Sequence, residues 1–146
     1  MLEGEFYVLW FLFAGNIWII SLLYSGLAEK KANSHSVSMQ MNVMVTPPIL
    51  FALCSGFIFT YMHPGFFIET SIAAGTLGMG CGLLFGSLFG IHAAMAGASS
   101  ALTAGMLAPM LGELAGRSPL FLVFAQLVFF IWLFFLRYNV RSFKFV

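Results

Sequence analysis

The stretch that decides the fold is residues 74–94, AGTLGMGCGLLFGSLFGIHAA, in which Ala74, Gly78, Gly82, Gly86, Gly90 and Ala94 put a small residue at every fourth position. Residues four apart share one face of an α-helix, so the row describes a smooth stripe along which a second backbone can approach closely. Gly75 and Gly80 widen it. The next segment answers with Ala93, Gly97, Ala101 and Gly105 at the same spacing. Two such helices in succession predict a close antiparallel hairpin. The stripe suits four uses: packing within the chain, contact between copies, a groove for docking into a larger membrane complex, or the wall of a narrow passage.

Both helices lie in runs apolar enough to cross a membrane, which takes about 20 mostly apolar residues for roughly 30 Å of hydrocarbon. Five stretches meet that length: about 6–24, 45–62, 68–91, 94–114 and 120–136. The predicted fold class is an all-α polytopic membrane helix bundle, a single membrane domain over residues 1–146. Composition agrees. The chain is 61% hydrophobic and 8% charged, against about 25% charged in globular domains. It contains no Asp, and its net charge of +1 offers no basic face, so nucleic acid is not an expected partner. Met1-Leu2-Glu3-Gly4-Glu5 lacks the positive charge that opens a signal peptide, so the first apolar run is read as a retained helix. A competing topology folds the third and fourth stretches as a re-entrant pair, because that region is rich in Gly and Ala.

Orientation follows from the basic residues. With five spans, Lys30, Lys31, Arg137, Arg141 and Lys144 fall on one side and Arg117 on the other. The positive-inside rule then predicts N-out and C-in, with the chain in a bacterial-type inner (cytoplasmic) membrane. Pro47-Pro48 is expected at the entry of the second span, where the first helical turn has no N–H partner to lose. His63-Pro64-Gly65 reads as a tight turn, and the basic and aromatic tail 138–146 as an interfacial anchor.

Polar groups inside the spans are few. His92 sits at the end of the third span and Glu113 near the far end of the fourth; at 1.5 Å per residue in one continuous helix they are roughly 30 Å apart. Each could end a proton or cation path, and Pro109 would free the Gly105 carbonyl near Glu113. Equally, Glu113 has Arg117 at i+4 for a local pair. Asn16 and Gln126 lie near the middle of spans one and five, which run the same way, and are candidates for an interhelical hydrogen bond.

Sulfur supplies the one metal reading. Met39, Met41 and Met44 with His35 form a thioether cluster suited to Cu(I), although Met is also ordinary core filler. Met95-Ala96-Gly97 through Gly105-Met106-Leu107-Ala108-Pro109-Met110-Leu111-Gly112-Glu113 resembles the Gly/Met-rich hairpins of uncharacterised bacterial membrane proteins, some of them joined to copper-binding domains. That resemblance implies a membrane hairpin and carries no ligand residues across. Cys54 and Cys81 lack CxxC spacing. Gly97-Ala98-Ser99-Ser100 departs from the GxSG of rhomboid proteases at its last glycine, and aspartyl intramembrane proteolysis would need Asp. No enzymatic activity and no obligatory cofactor is expected. The leading expectation is a small multi-pass protein that assembles through the glycine hairpin, with itself or with other membrane subunits; a minimal proton or cation conductor, copper included, is the alternative.

Overall fold

The computed structural model describes residues 3–29 and 37–142, and these form five α-helices. They are α1 (Glu3–Glu29), α2 (Val37–Met62), α3 (Phe67–Ser87), α4 (Ile91–Leu114) and α5 (Pro119–Ser142). Each is long and apolar enough to span a membrane. The shortest, α3, has 21 residues and covers about 31 Å at 1.5 Å per residue. A re-entrant pair is therefore replaced by two full-length helices.

The helices run further than hydropathy alone suggests, because helical hydrogen bonding continues into the polar boundary. α1 extends to Glu29 and α2 begins at Val37, well before the expected start at 45. This overturns the placement of Pro47-Pro48. The prolines lie inside α2, fully buried, rather than in its first turn. A proline has no N–H to give the carbonyl four residues back, so Val43 and Met44 lose their helical partners.

Three short turns join the last four helices. His63 to Phe66 links α2 to α3, Leu88 to Gly90 links α3 to α4, and Ala115 to Ser118 links α4 to α5. Gly90 takes φ 123, a left-handed conformation that side chains rarely adopt. At the end of α4 the Arg117 N–H donates to the Gly112 carbonyl (3.1 Å) and the Gly116 N–H to Glu113 (2.9 Å), with Gly116 at φ 62. This is the two-bond glycine cap that closes many helices.

The bundle is organised around α2. Of its most apolar 18 residues 67% lie inside the protein, against 22% for α5, and α2 packs on all four other helices. α3 and α4 press on it and on each other. α1 and α5 lie more loosely on its other side, through aromatic pairs such as Phe13–Phe51 (6.4 Å, stacked) and Phe57–Phe121 (5.1 Å, edge-on). Tyr61 ties the end of α2 to the α4–α5 turn by donating to the Ser118 carbonyl (2.5 Å).

Candidate functional site

The small residues of α3 meet those of α4 in one antiparallel register. A Cβ placed on Gly78 would lie 2.6 Å from the Ala101 carbonyl oxygen; one on Gly105 would lie 2.5 Å from that of Ala74. Gly82 faces the Gly97 backbone and Gly86 that of Ala93 and Ala94, closer still. Each step of four along α3 is matched by a step of four back along α4. No side chain fits between them, so this face is filled by backbone and offers neither a passage nor a surface for another chain. Gly90 stands outside the series. A Cβ there would meet nothing within 4 Å, and its glycine serves the turn instead.

The register extends to α2, through glycines whose role hydropathy and spacing do not disclose. A Cβ on Gly56 would meet the Ala108 side chain and, at 3.3 Å, Cδ of Pro109. One on Gly112 would meet Thr60 at 3.3 Å. Gly97 lies against the Met44 carbonyl, 2.9 Å from a built Cβ. That carbonyl is one of the two released by the α2 prolines, and a glycine opposite lets α4 close on it, an arrangement that suits a weak Cα–H···O contact. α2, α3 and α4 thus form a core held by backbone proximity.

Polar groups fall into distinct classes. Asn16 and Gln126 are buried, and the structure pairs them: Asn16 Nδ2 donates to Gln126 Oε1 (3.2 Å) and Gln126 Nε2 to Asn16 Oδ1 (2.5 Å). The reciprocal pair joins α1 to α5. Glu113 and Arg117 form a bidentate ion pair with closest approach 2.8 Å, both partly exposed at the end of α4. His92 is exposed in the first turn of α4, at its opposite end. Pro109 is buried against α2 and α4 continues helically through it to Leu114. His92, Pro109 and Glu113 are therefore not brought together, and the carboxylate is already engaged by a guanidinium.

The methionines do not converge either. Because α2 starts at Val37, Met39 and Met41 ride a helix and point about 160° apart. Met39 packs toward the core, Met41 is exposed and Met44 is buried. His35 lies outside the described residues. Among the described residues no three His, Cys, Asp or Glu side chains group as a metal site. Ser99 and Ser100 both donate to the Ala96 carbonyl, at 3.1 and 2.8 Å, an ordinary use of helical hydroxyls. Ser55 and Ser71 are the exceptions that sequence did not flag, buried hydroxyls with no hydrogen-bond partner among the described residues.

On α3 the residues turned away from α2 and α4 include Glu69, Ala73, Thr76, Gly80, Leu83 and Ser87, exposed or half-buried, at alternating spacings of four and three. Among the described residues nothing lies within 4 Å of a Cβ built on Gly80. On α5 the exposed large apolar residues include Leu120, Val123, Phe124, Leu127, Ile131, Phe134 and Phe135.

These features define a class: an integral membrane protein of five helices, multi-pass and in contact with the lipid bilayer. Comparison with known proteins adds no family to that class, since no family model, no curated protein and no solved structure matches the chain.

Proposed function

We propose that this protein is an assembly element of a bacterial-type inner membrane, oriented N-out and C-in, that uses the α3–α4 hairpin to hold another membrane helix. The hairpin's inner face builds the fold. Its outer face takes the partner. The observation that carries this reading is the outward seam of α3, where Ala73, Thr76, Gly80, Leu83 and Ser87 stand at the three-and-four spacing of packed helices and all but Leu83 are small. In lipid there is no hydrophobic drive between helices, so association rests on close van der Waals contact, which small side chains permit. The hydroxyls cost little on such a face: Thr76 donates to the Ile72 carbonyl (2.9 Å) and Ser87 to Leu84 (2.8 Å).

The partner helix belongs to a second copy or to a different subunit, and the mass of gently extracted particles separates the two. Native mass spectrometry of the extracted protein is expected to give a defined multiple of the chain or a complex with other chains. Gly80→Leu, which enters open space, should reduce that mass to the single chain while helix content stays unchanged. A single chain from the start, or a Gly80→Leu particle of wild-type mass, refutes the reading. Gly82→Leu is the contrasting variant, because it strikes backbone and should disturb the fold itself.

A further inference from the structure

A groove of about 590 Å³ runs between α1 and α5. Its walls are Ile19, Leu22 and Leu23 on one side and Phe130, Ile131, Leu133, Phe134 and Phe135 on the other, with Arg137 the only charged or polar member among the described residues. The volume falls in the ordinary range for small-molecule sites. Position along α5 gives the groove a direction. From Phe130 to Arg137 the helix rises about 10 Å, so the hydrocarbon wall lies within one leaflet and the guanidinium toward its surface. Arg137 is exposed, and among the described residues it has no carboxylate partner. The carboxylate nearest in level, Glu29 at the end of α1, does not pair with it.

From this geometry we propose that the groove is a binding site for one anionic phospholipid of the leaflet at the C-terminal end of α5. An acyl chain lies along the aromatic and aliphatic wall, and Arg137 takes the phosphate. A guanidinium matches two phosphate oxygens at once, which an ammonium does not. Charge complementarity favours an anionic head over a zwitterionic one. Arg141 follows one turn later on α5, and Lys30 and Lys31 fall at the same end by sequence. Basic residues at a membrane surface attract anionic lipid generally, so the claim is about one groove and one arginine.

The test reads lipid contact with a local reporter. In a chain carrying Trp10→Phe, Trp18→Phe and Trp132→Phe, Phe134→Trp places a single fluorophore in the groove. A second chain keeps only Trp132, which faces the α2 side of the same helix at nearly the same depth. Both are reconstituted in phosphatidylcholine containing brominated phosphatidylglycerol or brominated phosphatidylcholine, whose bromines quench tryptophan on contact. At position 134 the anionic lipid is expected to bind at least threefold more tightly than the zwitterionic one. Arg137→Gln should bring that ratio to about one, and Trp132 should show no such dependence on Arg137. A ratio of one at position 134, or the same preference at Trp132, overturns the proposal. So does an Arg137→Gln chain that keeps the preference. If the reporter chain fails to fold, native mass spectrometry of the unaltered protein and of Arg137→Gln decides by the number of phosphatidylglycerol molecules retained; equal retention overturns the proposal.

Discussion

Replacing Gly78 by alanine should cost stability that replacing Gly80 does not, although the two glycines are two residues apart on one helix. A methyl at Gly78 would stand 2.6 Å from both the Ala101 carbonyl oxygen and the Ala52 Cβ. Ordinary contact begins at 3.4 Å, so α3 must withdraw by roughly 0.8 Å from two helices at once. The neighbours are backbone and the shortest of side chains, and neither can rotate away. Overpacking of this kind costs about 1–3 kcal/mol. At Gly80 a methyl meets nothing, and alanine in a helix interior gains about 0.5–1 kcal/mol over glycine. Gly75 lies between these limits, since its near atoms at 3.0 and 3.1 Å are the ends of Met106 and Leu102, which can swing. The expected order of stability is Gly80→Ala, Gly75→Ala, Gly78→Ala, with about 2–3 kcal/mol between the extremes. Reversible unfolding in mixed dodecyl maltoside and dodecyl sulfate micelles, followed by far-ultraviolet circular dichroism, measures the series. If Gly78→Ala and Gly80→Ala agree within about 0.5 kcal/mol, smaller than either effect, the backbone register of α3 and α4 described above is wrong.

Two further perturbations test the polar interior. Asn16→Leu or Gln126→Leu alone leaves an amide unpaired in the bundle and should cost about 1–3 kcal/mol, while the double variant recovers part of the loss. The coupling from a double-mutant cycle should fall near 0.6 kcal/mol and not exceed about 2; additive losses would mean the amides do not pair. Ser55→Ala removes a buried hydroxyl that has no partner among the described residues, so it should be neutral or stabilising by up to about 1 kcal/mol. A clear loss of stability on unfolding would show that Ser55 makes a hydrogen bond.

The five helices were legible because each carries enough apolar length to cross a bilayer, and the amide pair because two carboxamides stood at matching depths in parallel spans. The boundaries were not. α2 begins eight residues before its apolar run, since Val37 to Met44 gain more from helical hydrogen bonds than a loop would give them. Proline was misleading for a related reason. Its preference for a first turn holds where the released carbonyls can find water, whereas in α2 the Met44 carbonyl lies against Gly97. Periodicity also counted Gly90 into the ladder, where φ 123 shows a turn residue that happens to fall in phase. A spacing of four announces that backbones come close and is silent on whose. The partner became visible only when the Leu88 to Gly90 turn folded α4 back on α3. The groove beside Arg137 was beyond reach from sequence, because it depends on how residues of α1 and α5 are set beside each other in space.

Within one chain, α5 shows what a lipid-facing surface looks like when packing asks nothing of it: Phe124, Leu127, Ile131, Phe134 and Phe135 project freely. α3 needs small residues only on the side that meets α4 and α2. If intramolecular packing were the whole of its work, its far side would be free to carry the same large side chains, and Leu83 and Leu84 show that they fit there. Along one row, Ala73, Thr76, Gly80 and Ser87 instead stay small, although Ile72, Leu77, Met79, Leu83 and Leu84 beside and within it are exposed. A glycine turned outward in a helix costs about 0.5–1 kcal/mol against alanine and returns nothing to the fold. Under the proposed assembly, contact with another helix would supply the compensating gain, because close helix packing improves as the side chain shrinks.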